Sequence, residues 1–242
     1  MKQLTKYIGG SQLYGLSTPE SDIDLRGVYL HEDMSDILRF TRPKELQDNI
    51  TTVSDIKDEV YFSLWRYLDT LRKSNIQGVE SLYVKEDDFL ELDPAMKIFI
   101  EQPQSFIDSN ILVSSIKGYT YSEYKLAMGH RTGRLGGARK ENIDKYGFSP
   151  KNVTQIIRIT EGLLFLQANG FYPLNIREYV PEMGDLAFEI KTNPSAFTKD
   201  HIDIICNDQI KKVENVEDKL GWKFDEDLAI SVMKDLYKPY FQ

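Results

Sequence analysis

Residues 7–30 read YIGGSQLYGLSTPESDIDLRGVYL, and the fold follows from how this run is parsed. An apolar approach, Tyr7-Ile8, breaks at Gly9-Gly10-Ser11. A polar loop, Ser17-Thr18-Pro19-Glu20-Ser21, then leads into Asp22-Ile23-Asp24. The alternation after Ser21 predicts a strand over residues 23–30. Residues two apart on a strand share a face, so Asp22 and Asp24 point the same way, with Arg26 next in line. Carboxylates side by side repel each other unless a cation lies between them. A hard divalent ion such as Mg²⁺ or Mn²⁺ prefers such oxygen ligands. Upstream, Gly9 and Gly10 permit a turn that a side chain obstructs. Their N–H groups, with the Ser11 hydroxyl, suit a phosphate cradle. A cradle followed by a metal-binding Asp-x-Asp points to a triphosphate held between backbone and metal, hence to phosphoryl or nucleotidyl transfer.

Gly10-Ser11, Tyr14-Gly15, Thr18-Pro19 and Ser21-Asp22-Ile23-Asp24-Leu25-Arg26-Gly27-Val28 together resemble the signature of the polymerase-beta-type nucleotidyltransferase superfamily. More narrowly, they resemble a predicted nucleotidyltransferase family with the run Gly-Ser-x-x-x-Gly-x-x-Thr-Pro-x-Ser-Asp-x-Asp-x-Arg. The resemblance implies an NTP, two Mg²⁺ or Mn²⁺ ions, and transfer of an NMP to an acceptor with release of pyrophosphate. It implies that Asp22 and Asp24 are catalytic and hold metal, and that Gly10 and Ser11 hold nucleotide phosphate. It also calls for a third carboxylate on a later strand. Asp58 is the best match, ahead of Asp55 and Glu59, as a metal ligand and general base. The narrower family further shows Tyr-Gly-x-x-x-Lys, then His four residues on and Arg three beyond. Here Tyr146-Gly147 precedes Lys151 and Arg158, while Gln155 stands at the His position, a departure from the family pattern that puts a proton-transfer role there in question. Lys151, Arg158 and Arg26 remain the cations for the triphosphate.

The remaining sequence sets limits on this reading. The chain has 242 residues, 41% hydrophobic and 28% charged, which is a globular balance. A net charge of −8 argues against strong nonspecific nucleic-acid binding over the whole surface. No apolar run has the length of a membrane span, residues 1–3 do not open a signal peptide, and a cytoplasmic location is expected. The single cysteine, Cys206, excludes an intrachain disulfide and is expected to be a buried, inert thiol.

A first strand is expected over residues 4–8 and a short helix through Tyr14. A short helix is also expected within residues 34–38, with Arg39, Arg42 and Lys44 as further cations. Residues 51–61 read as a hairpin or extended strand, and residues 63–73 as a helix with Leu64, Tyr67, Leu68 and Leu71 at i, i+3, i+4 and i+7. From Asp93-Pro94 onward the pattern is helical: residues 112–131, a core helix opened by Ser149-Pro150, then 183–192, 199–220 and 225–237. Residues 130–140 form a basic, glycine-containing loop, and residues 171–180 read as extended.

The expected fold class is α+β. An N-terminal nucleotidyltransferase domain with a small mixed sheet and flanking helices (1–92) is followed by an α-helical domain closing the nucleotide cleft (93–242). The acceptor is an RNA end, a protein or a small molecule. Two rival functions remain: an inactive nucleotide-binding regulator, and a nucleic-acid-binding accessory protein that uses residues 131–140.

Overall fold

The computed structural model describes residues 1–32, 49–53, 57–130 and 137–240. Its only sheet among these residues has five strands: β1 (Lys2–Ile8), β2 (Ile23–Leu30), β3 (Asn49–Val53), β4 (Lys57–Ser63) and β5 (Phe89–Leu92), in the order β3-β4-β2-β1-β5. The β2–β4 pair is parallel and the other pairs are antiparallel, so the sheet is mixed and the fold is α+β. The strand expected over residues 23–30 is β2, residues 4–8 fall within β1, and residues 51–61 divide between the antiparallel strands β3 and β4. Strand β5 was not anticipated. Its four residues are too few for a period-two signal, and it forms by pairing Leu92, Glu91 and Phe89 with Thr5, Lys6 and Tyr7. The short helix expected within residues 34–38, with Arg39, Arg42 and Lys44, lies outside the described residues.

Packing divides the chain into two compact units, Met1–Leu112 with Gly221–Gln242, and Val113–Leu220. In the first unit, α1 (Gly10–Leu13) follows β1 directly, and α2 (Leu64–Arg72) follows β4. Ser63 caps α2 by accepting the Arg66 N–H at 3.2 Å, satisfying one of the free donors of the first turn. Leu64, Tyr67, Leu68 and Leu71 are buried as their spacing requires. Asn75 does more than stop this helix: its side chain accepts the Gln77 N–H and caps α3 (Ile76–Ser81). After α4 (Lys97–Glu101), the return of the chain is pinned by the Trp222 N–H to Ser109 Oγ at 2.9 Å and by Lys223 to Asp108 at 3.1 Å. The unit boundary falls within α5 (Ser109–Ala127).

The second unit is helical: α6 (Gly137–Tyr146), α7 (Pro150–Asn169), α8 (Ile176–Tyr179), α9 (Pro181–Thr192) and α10 (Lys199–Glu214). The last helix, α11 (Glu226–Tyr237), belongs to the first unit. Val153, Ile156, Ile157, Ile159, Leu163 and Leu166 of α7 are all fully buried, and α9 and α10 pack against it. Each such side chain contributes about 1.5–3 kcal/mol on burial. Gly170 ends α7 in the left-handed region at φ 77°. Two expectations are corrected here. Residues 137–140, expected as the end of a basic loop, instead open a helix that runs to Tyr146, because the two glycines ahead of ARKENIDKY mask a good helical stretch. Within the segment read as extended, Asn175 accepts the Glu178 N–H and caps α8.

Cys206 lies on α10 with no exposure, and burial pushes its thiol up to about 12. At pH 8 the thiolate is then roughly one part in ten thousand. The folded chain should leave a thiol-reactive dye unreacted for hours and react within minutes in denaturant. Rapid labelling of the native chain, read by mass, counts against this packing.

Among the described residues no helix is long and apolar enough to cross a membrane.

Candidate active site

Strand pairing assembles the acidic face. In the parallel β2–β4 register, Asp24 stands opposite Asp58, Leu25 opposite Glu59 and Arg26 opposite Val60. Cross-strand partners share a face, so the Asp24 and Asp58 carboxylates lie on one side of the sheet, on strands about 4.8 Å apart. Glu59 is on the opposite side with Tyr61, whose hydroxyl it helps push up, although burial is the larger cause. Asp55 lies outside the described residues. Asp22 sits just ahead of β2 and is exposed.

Helix α1 is laid over this face. Gly9 donates its N–H to the Asp24 carbonyl at 2.8 Å, fixing the loop to the strand. Gly10 has φ +61°, and a Cβ there would meet Asp24 Oδ2 at 1.7 Å. Only glycine lets the turn approach the carboxylate so closely. Ser11, half-buried, is the next residue of α1. Arg26 donates from Nη2 to Asp24 Oδ1 at 2.7 Å and from Nη1 to the Leu25 carbonyl at 3.1 Å. The cation beside the Asp-x-Asp run is thus supplied within the same strand. With Arg26 and Asp24 both partly solvated, this pair contributes at most about 1 kcal/mol.

One buried carboxylate near the turn was missed by sequence reasoning. Glu80 on α3 is 3% exposed and accepts the Tyr14 hydroxyl at 2.7 Å, tying the end of α1 to the helical layer. The Tyr14-Gly15 dipeptide was visible in the motif, but nothing local marks Glu80, 66 residues later. Tyr7, opposite Arg26 on β1, is buried, and that burial holds its hydroxyl protonated well above the ordinary tyrosine range.

Lys151 and Arg158 lie in the second unit, on α7. Lys151 is exposed, whereas Arg158 is 3% exposed and donates from Nε to Gln155 Oε1 at 2.8 Å. The residue at the missing-His position therefore serves the arginine as an acceptor. The first turn of α7 departs from the expected cap: Ser149 Oγ donates to Asn152 Oδ1 at 2.6 Å rather than accepting a backbone N–H.

Among the described residues, no three His, Cys, Asp or Glu side chains gather into a ready metal-ligand group. Asp24 and Asp58 nevertheless offer hard oxygen donors of one charge on one face, and this donor chemistry fits Mg²⁺ or Mn²⁺.

No curated protein matches the chain. Residues 4–110 match the RlaP family, described as an RNA repair pathway DNA polymerase beta family. The match covers the sheet from Leu4 of β1 onward, with the glycine turn and the acidic face. Over residues 4–110 the chain is therefore similar to polymerase-beta-type nucleotidyltransferases of the RlaP family.

Proposed function

We propose that the chain is a metal-dependent nucleotidyltransferase that moves an NMP from an NTP to an RNA end and releases pyrophosphate. The observation that carries this reading is the meeting of Gly10, Asp24 and Asp58, with the glycine turn pressed on one carboxylate and the other in register beside it. The RNA repair description of the matched family supports RNA as the acceptor. Residues 1–92 are proposed as the catalytic module.

Asp24 and Asp58, with Asp22 as a further ligand, would hold the two divalent ions. When bound, these ions supply charge neutralisation at the triphosphate oxygens. The Gly10-Ser11 turn would hold the phosphates through backbone N–H groups and the Ser11 hydroxyl. Arg26 would add positive charge as negative charge gathers on the leaving pyrophosphate. Asp58 would accept the proton of the attacking RNA hydroxyl.

The test is incubation with each α-³²P-labelled NTP, Mg²⁺ or Mn²⁺, and cellular RNA. Label in RNA with the wild type and none with Asp22→Ala supports the transferase. Label in protein alone would reassign the acceptor. A second reading, an NTP-binding regulator, draws on the Asp24–Arg26 ion pair, which already balances the central carboxylate. Metal-dependent NTP binding without pyrophosphate release would decide for it.

A further inference from the structure

The chain is acidic overall, yet residues 113–158 carry nine Lys and Arg against three Asp and Glu. One of those acids, Glu123, is buried and accepts the Asn152 amide at 2.6 Å. Asn152 in turn accepts Arg139 Nε at 3.1 Å, so α5, α6 and α7 are joined by one hydrogen-bonded network.

On the solvent side of α5, exposed Gly118, Tyr121 and Lys125 follow at i, i+3 and i+7. Tyr121 is 51% exposed, unusual for so large a ring. Lys125 Nζ lies 4.4 Å from its centroid. Tyr124 stacks beside it at 6.5 Å and 29°, and is itself held by its hydroxyl donating to Asp203 at 2.7 Å. His130 meets Tyr124 edge-on at 5.8 Å. Helical side chains tilt toward the N-terminus, so Lys125 leans back over Tyr121 and Tyr121 leans back toward Gly118. A Cβ at Gly118 would meet nothing within 4 Å, so packing gives no reason for a mid-helix glycine that weakens the helix. What the glycine does is leave the space before Tyr121 open.

We infer that this face of α5 binds single-stranded RNA, with a base stacked on Tyr121 over Gly118 and a neighbouring phosphate held by Lys125. An exposed ring in a cationic setting is the general device for single-strand binding, because every base has a stacking face and every linkage a negative charge. The proposal rests on the transferase reading only in choosing RNA, the acceptor there.

The test uses the full chain without NTP and a fluorescein-labelled single-stranded RNA of about 12 nucleotides, read by anisotropy. Tyr121→Ala is expected to weaken binding at least about tenfold. Lys125→Gln should reduce the log–log salt slope by about 0.7. Gly118→Leu should maintain or raise the thermal midpoint while weakening RNA binding about fivefold or more, which a merely structural role for Gly118 would not produce. Absence of wild-type binding, a preference for duplex RNA, or wild-type affinity in Tyr121→Ala and Gly118→Leu overturns the inference. Loss of the transferase reading alone would appear as absent NMP transfer with this RNA binding, and its dependence on Tyr121, intact.

Discussion

Asp24→Ala is expected to lower NMP transfer by about a thousandfold or more while changing stability by no more than about 1 kcal/mol. The asymmetry follows from the site. Asp24 is in contact with the glycine turn, in register with Asp58 and paired to Arg26. Its fold contribution is one partly solvated ion pair, and the released Arg26 guanidinium, a third exposed, can turn to water. Asp58→Ala should behave alike. Glu59→Gln should keep near-normal transfer, because Glu59 sits one residue along β4 and faces the other side. Labelled-NTP transfer beside thermal unfolding by circular dichroism checks all three. Transfer by Asp24→Ala within tenfold of wild type would end the proposed mechanism.

Gly10→Ala should damage both fold and function. The residue sits at φ +61°, where an L side chain costs about 1–2 kcal/mol, and its Cβ would run into Asp24 Oδ2 and Cγ. Either α1 lifts from β2 or the carboxylate swings away from Arg26. Transfer should fall at least about a hundredfold, since a displacement of about 1 Å at a reacting centre is enough for that. Gly170→Ala isolates the two contributions: φ is +77° there, but nothing lies within 4 Å of the added methyl. It should cost roughly 1 kcal/mol and leave transfer unchanged. Equal activity in both variants would separate the Gly10 turn from the chemistry.

The alternation of residues 23–30, the spacing of Leu64, Tyr67, Leu68 and Leu71, and the apolar breadth of α7 were readable because each depends on a period within one element. Strand β5 was not readable, since a four-residue edge strand carries too little pattern and exists through its pairing with β1. Helix α6 was hidden by the glycines before it. At the site, the glycine turn and the Asp-x-Asp run were legible as a contiguous motif. Asp58 was favoured over Asp55 and Glu59, but its register opposite Asp24 was not legible, because counting along a strand cannot set register against another strand.

By itself, then, the sequence determined the mixed α+β class, the location of the acidic strand, the glycine turn ahead of it and the buried thiol. All of these are local periods or local backbone requirements. The tertiary structure alone decided that Asp58 stands beside Asp24, that Glu80 anchors Tyr14 and that Arg158 is buried. It also decided that Tyr121 stands exposed before an open glycine. The physical reason is the same in each case. Contacts between residues distant in sequence, and the rotamers and burial that follow from them, depend on how elements pack and not on the pattern within any one of them.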